Sequence, residues 1–564
     1  MNVLTVLFGG NLSGEAFKPV FGGKSAFSLA LERASAFPGT KKLILLGKEG
    51  AEYPPGGPAC SVIVRDWTVS LLLKTLSEES EGFDVTCYAW ADTPFLDGEL
   101  AGKLTERHCR FAADYSYADG WPYGLAPELL GPGTAGILYK IAGEPGSGAG
   151  TPADGPVGRD SLFAVLQKDI NSFDIETEIS AVDLRCHRLN LAADSRRNLL
   201  LLERFASAGV LEAASASAAV EALVAEKPEY LRTLPNFFSV QVSAACPETP
   251  ASRAGSCAFC PYAEKGRQAR RDSGGGRDGF MAPERFAELL DKIEAFAGDG
   301  VIDISPWGEP ALHPESEALV EAVLKRPALS LIVETAGIGW KSGAPARIAE
   351  KLKESAGIRD STDIQAVPPR KNGMAALSWI VSLNENDLPA PEDPAQNAGL
   401  SPDAAGGAES EAAAFVRELV VHFPPASGED RVYVQAVRTK GAEDAIERFY
   451  RAWKKTGAGI IIQKYNDFCG ALPKRNAVDL SPVKRRPCWH IMRDFVVLLD
   501  GGVPFCANAC PELWKGDGDV LLGNVFTGSL EDIWKRGEER YREHCREEYR
   551  GICPDCDEYY TYNF

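Results

Sequence analysis

Phe237-Phe238-Ser239-Val240-Gln241-Val242-Ser243-Ala244-Ala245-Cys246 is the stretch from which the architecture of this chain follows. Residues 237–242 predict a buried strand, set off upstream by Pro228 and Pro235, and a cysteine comes soon after it. Farther along, apolar runs at 301–304, 329–334, 376–383, 431–437 and 459–463 predict strands. Between and after them, segments 283–296, 315–325, 344–355, 409–422 and 441–455 predict helices. Such regular strand–helix alternation implies a curved parallel sheet or partial (β/α)6 barrel. In a fold of that kind the reactive residues lie on loops at the carboxyl ends of the strands. Cys246 follows the first strand and Gly308-Glu309 the second, so both fall on that rim.

Cys246 is joined by Cys257 and Cys260 in the spacing Cys-x10-Cys-x2-Cys. Three thiolates on one loop can hold a four-iron cluster and leave one iron without a protein ligand, where chemistry can happen. A site closed by four cysteines would pass electrons or staple the fold. Cys488, Cys506, Cys510, Cys545, Cys553 and Cys556 form a second concentration near the end of the chain. A zinc site built from the pairs Cys257/Cys260 and Cys553/Cys556 is the bland alternative. Cys60, Cys87, Cys109, Cys186 and Cys469 read as ordinary thiols.

The bulk numbers narrow the classes. At roughly 150 residues per domain, 564 residues suggest about three or four domains. The 60 basic and 79 acidic side chains leave a net charge of −19, which repels phosphate backbones and argues against nucleic acid as a partner. No run of about 18 apolar residues appears, so no membrane span is expected. The apolar start, residues 1–8, is short, lacks basic residues and runs into Gly9-Gly10, which predicts a buried first strand rather than a signal peptide. A cytoplasmic setting, with reduced thiols available to metal, fits the 14 cysteines better than disulfides.

Residues 1–232 read as a first unit, 233–463 as a second and 464–564 as a third that is small and rich in cysteine. In the first, apolar runs at 3–8, 43–46, 62–64 and 85–90 alternate with helical stretches at 25–37 and 69–77, so another parallel sheet is expected. Helices are expected at 194–208 and 211–226. Residues 142–160 read as a flexible insertion, 267–279 as a solvated loop and 385–410 as a disordered insertion.

The central and C-terminal motifs resemble the radical S-adenosylmethionine (SAM) superfamily with a C-terminal SPASM/Twitch domain, and the whole layout looks like the spiro-SPASM group. Cys246, Cys257 and Cys260 are similar to its cluster motif, and Phe259 to the aromatic that precedes the last cysteine. Ser305-Pro306-Trp307-Gly308-Glu309-Pro310 resembles the Gly-Gly-Glu-Pro segment that binds the SAM amine, with Trp307 in place of the first glycine. Glu334-Thr335-Ala336-Gly337 resembles the end of the third strand, and Ser382 and Asn384 stand where relatives contact the ribose or carboxylate of SAM. Cys488-x12-Gly501-x4-Cys506, Leu522-Gly523-Asn524-Val525, Ser529-Leu530-Glu531-Asp532-Ile533-Trp534 and Cys553-x2-Cys556 match the SPASM pattern. The resemblance implies a SAM-binding 4Fe-4S cluster on Cys246, Cys257 and Cys260. It also implies an auxiliary 4Fe-4S cluster on Cys488, Cys506, Cys553 and Cys556, with Cys510 and Cys545 left over. Its implied cofactor contacts are Phe259, Trp307, Gly308, Glu309, Pro310, Thr335, Gly337, Ser382 and Asn384. The implied activity is one-electron cleavage of SAM to a 5′-deoxyadenosyl radical that takes hydrogen from a substrate. A flavodoxin or ferredoxin would donate the electron, and by analogy the substrate is a peptide or protein. A plain turn-capping role for Glu309 and a packing role for His313 stay open.

Residues 1–232 resemble GT-A nucleotide-sugar cytidylyltransferases. Phe8-Gly9-Gly10, Lys18-Pro19 and Gly22-Gly23-Lys24 are similar to the phosphate loop, and Trp90-Ala91-Asp92-Thr93-Pro94-Phe95 to the segment whose aspartate holds Mg²⁺. Asp194 falls at the second metal position, while Asn11-Leu12-Ser13-Gly14-Glu15 replaces the usual arginine-bearing run. Two other functions therefore remain in view: a non-catalytic iron–sulfur carrier or scaffold, and a cytidylyltransferase with an iron–sulfur appendage.

Overall fold

The computed structural model describes the chain except for residues 52, 54–57, 144–154, 248–258, 263–278, 359–363, 365–366, 371–372, 386, 390–409, 426–430, 510–519 and 562–564. Most of the expected insertions at 142–160, 267–279 and 385–410 lie outside the described residues, as do Cys257 and Cys510. The chain divides into two compact units, Met1–Thr233 and Leu234–Phe564.

The first unit is built on strands β1 (Val3–Gly9), β2 (Thr40–Lys48), β3 (Ser61–Arg65), β4 (Val85–Trp90), β5 (Tyr115–Asp119), β6 (Glu128–Leu130) and β7 (Ile175–Ile179). They lie in the order β3-β2-β1-β4-β6-β5-β7. β1 is buried along its whole length because both faces are covered. Leu4, Val6 and Phe8 pack on one side with Leu72, Leu76 and Leu138, while Val3 and Leu7 pack on the other with Phe27, Leu31 and Leu104. The chain runs outward from β1 through β2 to β3, then restarts at β4 on the other side of β1. The sheet is not purely parallel as expected: β6 is antiparallel to both β4 and β5. Residues 120–127 are too few for the crossover that a parallel return from β5 would need.

The second unit holds β8 (Phe237–Val240), β9 (Gly300–Asp303), β10 (Leu329–Thr335), β11 (Leu377–Ser382), β12 (Val432–Arg438) and β13 (Gly459–Lys464), all parallel. Helices Pro283–Ala297, Ser316–Leu324, Ala344–Ser355, Glu411–His422 and Glu443–Trp453 link successive strands. The strand–helix alternation read from the sequence is present, with boundaries shifted by a residue or two. Alternate strand residues, among them Phe238, Ile302, Leu331, Trp379 and Val434, pack under the helices. Their neighbours Phe237, Val301, Ile332 and Ile380 form an apolar row on the other face, with Tyr433 and Ile461 against it.

A strand not foreseen from the sequence, β14 (Asp494–Val497), pairs parallel with β8 and extends the order to β13-β12-β11-β10-β9-β8-β14. The cysteine-rich segment thus contributes to the same sheet. It continues into the antiparallel pair β15 (Gly502–Pro504) and β16 (Leu521–Asn524). After this pair come two helices, Leu530–Arg536 and Glu538–Cys545, divided at Gly537. Among the described residues no helix is long and apolar enough to cross a membrane.

Candidate functional site

Two residues beyond the apolar inner row, every strand from β8 to β13 presents a polar side chain on the same face. These are Ser239, Asp303, Glu334, Ser382, Gln435 and Gln463. They line a cavity of about 380 Å³. Glu334 Oε1 accepts from Ser382 Oγ at 2.8 Å and from Gln435 Nε2 at 3.0 Å. The Asp303 carboxylate accepts from the Ser305 backbone N–H at 3.0 Å. Burial, helped by the nearby Glu334 charge, pushes the Asp303 carboxyl up to about 6, and burial also raises Glu334.

The segment after β9 forms one wall of this cavity. Its backbone is pinned to the Cys246 loop by the Glu309 N–H, which donates to Ala245 O at 2.8 Å. Gly308 packs on the same loop: a Cβ there would meet Ser243 O at 1.8 Å, so no larger residue fits. Trp307 has φ +56°, the left-handed region that a glycine would occupy without strain. Its ring meets Tyr262 edge-on, with centroids 5.5 Å apart. The Glu309 carboxylate is turned to structure: Oε1 accepts from Ala311 N and from Thr335 Oγ1 (2.5 Å), and Oε2 accepts from Ala336 N (2.8 Å). It caps the short turn Pro310–Leu312 and clasps the end of β10, and burial pushes its carboxyl up to about 7.

Cys246, Phe259, Cys260, Trp307, Gly308 and Glu309 all line the cavity, and so do Thr335 and Ser382. Pro310, Gly337 and Asn384 do not. Gly337 supports the wall by donating its N–H to Thr335 Oγ1 at 3.0 Å.

The facing wall comes from the cysteine-rich segment, where Cys488, Cys506 and Cys556 reach the same cavity and Cys553 lies buried just behind. These four sulfurs are electrostatic neighbours. Burial first, then the charge of adjacent cysteines, holds Cys488 and Cys506 above the usual thiol range. Burial carries Cys553 up to about 11. A fifth thiol, Cys469, joins them. Read from the sequence as an ordinary cysteine, it lies beside Cys556, and this neighbour shifts the Cys556 thiol downward. Cys545 packs at the edge of this cluster. Among the described residues no three such groups close around a single-ion position.

Sequence reasoning missed the polar groups between the two walls. His490 Nδ1 shares a hydrogen with Asp494 Oδ2 at 2.6 Å, and its Nε2 lies 3.2 Å from Thr561 Oγ1. Burial works against the charged ring, but Asp494 raises His490 overall. Lys464 Nζ is 2.9 Å from Asp557 Oδ2 and also pairs with Glu558. The signal for the β8–β13 layer was in the sequence, since each polar residue stands two places after an apolar one. The His490–Asp494 pair carried no such signal, because β14 was itself unforeseen.

Residues 488–557 match the SPASM iron–sulfur cluster-binding domain, so the C-terminal segment is a domain of that kind. The chain is 32 % identical over 412 residues to an uncharacterized protein of Treponema pallidum (strain Nichols), covering 72 % of this chain and 98 % of the relative. A second uncharacterized protein of the same organism is 42 % identical over 51 residues, 9 % of this chain and 23 % of that protein. Among solved structures, BtrN in complex with AdoMet and 2-DOIA is similar at 15 % identity with a TM-score of 0.30, covering 55 % of this chain and 87 % of that one. A cytidylyltransferase from Leptospira borgpetersenii serovar Hardjo-bovis is similar at 13 % identity with a TM-score of 0.31, covering 41 % and 95 %.

Proposed function

We propose that this chain, which belongs to one family with the 412-residue-matched Treponema pallidum protein, is a radical SAM enzyme with one auxiliary cluster. The observation that carries the reading is a single cavity with cysteines on two facing walls. Cys246 and Cys260 stand beside Trp307-Gly308 on one wall, and Cys488, Cys506 and Cys556 stand in the SPASM domain on the other. Cys257, two positions before Phe259, would complete the first set.

When bound, the three-cysteine cluster and SAM supply the 5′-deoxyadenosyl radical that abstracts hydrogen from substrate. The chain's own residues orient and enclose. The backbone at Trp307-Gly308, held by Ser243 and Ala245, would offer polar groups to the SAM amine. Ser382 and Gln435, which bond to each other and to Glu334 in the cavity wall, would meet hydroxyl or carboxylate groups of the same ligand. Phe259, Tyr262, Trp307 and Phe468 screen the cavity from water. Four cysteines on the auxiliary cluster would leave no open iron there, which favours an electron-relay role. Residues 233–463 then act as the partial barrel, 464–564 as the SPASM/Twitch domain and 1–232 as a GT-A-like domain. SAM, a small electron donor such as a flavodoxin or ferredoxin, and a peptide or protein substrate are the proposed partners.

The test is anaerobic reconstitution with iron and sulfide, chemical reduction, and assay for 5′-deoxyadenosine on a sample whose iron is counted. Turnover of SAM with about eight irons per chain is expected. A protein that binds about eight irons yet neither binds nor cleaves SAM would instead be the carrier or scaffold.

A further inference from the structure

Strand order in the first unit reverses between β1 and β4, and in open α/β sheets the crevice outside the carboxyl ends at such a point is where ligands bind. Asp92 stands there, just past β4, and is only 1 % exposed. Asp194 comes to the same place on the loop before helix Arg196–Ser207. Its two carboxylate oxygens are oriented by Asn198 Nδ2 at 2.7 Å and Asn190 Nδ2 at 2.8 Å. Two carboxylates brought to one buried point need a shared cation.

That cation is Arg159. Its Nη1 and Nη2 lie 3.1 and 2.6 Å from Asp92 Oδ1 and Oδ2, and Nη2 lies 3.4 Å from Asp194 Oδ2. Nη1 also donates to Tyr123 Oη at 3.1 Å. The guanidinium sits 4.5 Å from the centre of the Trp90 ring and 5.0 Å from that of Tyr123. The segment just before Arg159 is tied down at two points. Val69 N–H donates to Gly155 O at 3.1 Å, and Asn11 Nδ2, from the loop after β1, donates to Val157 O at 3.2 Å.

Beside the guanidinium is a small cavity of about 20 Å³, space for a water molecule. Tyr88 and Trp90 are among the residues that line it, and Tyr88 Oη and Trp90 Nε1 are their polar side-chain atoms. Both are buried, and they lie near one another but outside hydrogen-bonding geometry, so neither has a partner. Unpaired donors in a buried position call for an oxygen ligand. A divalent cation taken up by carboxylates keeps some of its waters, and such waters would satisfy those donors. Guanidinium and cavity together thus fill the space of a partly hydrated divalent ion.

We propose that Arg159 is a built-in cation that keeps divalent metal out of an otherwise complete two-carboxylate site at the switch point of the first unit. A free ion must displace a group that is covalently tethered, paired through two hydrogen bonds to Asp92 and stacked on Trp90, so the tether sets the outcome. The first unit therefore meets any ligand in this crevice with a guanidinium instead of a metal. The inference is independent of the radical chemistry proposed for the other unit.

The experiment titrates the iron-loaded full-length protein with Mn²⁺ and follows free Mn²⁺ by electron paramagnetic resonance. The wild type is expected to show no tight site. Arg159→Met is expected to gain a single site, and adding Asp92→Asn to that variant should remove it. Arg159→Gln, which keeps a donor for Asp92, replaces Arg159→Met should the latter not fold, as judged by circular dichroism. Tight Mn²⁺ binding by the wild type that Asp92→Asn abolishes would overturn the proposal. A folded Arg159 variant that gains no site would overturn it as well.

Discussion

Two sheets in this chain end in crevices of opposite character. In the first unit, the carboxyl-end crevice is closed: Asp92 and Asp194 converge on Arg159, and space for about one water remains. In the second, the corresponding end opens into about 380 Å³, and its buried carboxylates Asp303 and Glu334 have hydroxyl and amide partners but no cation among the contacts described above. Both crevices come from the same physics, parallel strands whose last residues turn polar. The difference is whether the chain supplies its own counter-charge. Where it does, the pocket is filled by protein. Where it does not, space is left for a ligand; burial raises the carboxyl in both crevices, Asp92 as well as Asp303 and Glu334.

The largest expected effect breaks the open site outright. Cys260→Ala should abolish 5′-deoxyadenosine formation and lower iron from about eight to about four per chain. Cys109→Ala, an exposed thiol of the first unit, should change neither. Equal loss in both variants would mean that the cavity cysteines have no special role.

Next in size is Gly308→Ala. Its Cβ would stand 1.8 Å from Ser243 O, a backbone atom that cannot step aside without moving the Cys246 loop. Overpacking of this kind costs about 1–3 kcal/mol or more, and SAM binding measured by calorimetry should fall with it. Gly14, on the loop after β1, has open space around its Cβ position, and Gly14→Ala should leave stability within about 0.5 kcal/mol. A Gly308→Ala protein that melts and binds SAM like the wild type would contradict the packing of this wall.

A smaller effect lies in the pH dependence of stability. Burial raises Glu309 from the ordinary 4.5 to about 7, so the folded chain binds a proton there that the unfolded chain has already released. Between those values folding takes up protons, and this group makes the fold less stable as pH rises from 4.5 to about 7, with no further change above. Glu309→Gln removes that slope while keeping an acceptor for Thr335 and Ala311. Urea melts across this range should be flatter in the variant, and an unchanged slope would place the proton elsewhere.

What was legible in the sequence follows from the range of the interactions. The strands and helices of the second unit show because apolar periodicity is local: Leu329–Thr335 and Ala344–Ser355 each carry their own pattern. β14 was passed over although 495–499 is an apolar run, because a run so short fits a strand or a buried helix segment equally well, and pairing with β8 decides it. The cavity walls were legible as motifs, Cys246 with Trp307-Gly308 and Cys488 with Cys506. The polar layer was overlooked because Asp303, Glu334 and Gln435 look like the ends of apolar runs until six strands are laid side by side. Arg159 was beyond reach: its partner Asp92 is 67 residues away, and nothing near Arg159 in sequence marks it as a counter-ion.

The smallest effect concerns the fifth thiol. Cys469 lies beside Cys556 and Cys506, so the SPASM wall offers sulfur beyond the four that a four-iron cube with four protein ligands can take. With Cys488, Cys506, Cys553 and Cys556 as ligands, Cys469 would stand beside a ligating sulfur to which its thiol can donate. Hydrogen bonds to cluster sulfurs stabilise the reduced, more negative state. Cys469→Ala should therefore keep its iron while lowering the potential of the auxiliary cluster, read by a redox titration followed by electron paramagnetic resonance. Cys506→Ala should lose that cluster. The opposite pattern, iron lost with Cys469 and kept without Cys506, would exchange their roles and make the thiol that looked ordinary in sequence the true ligand.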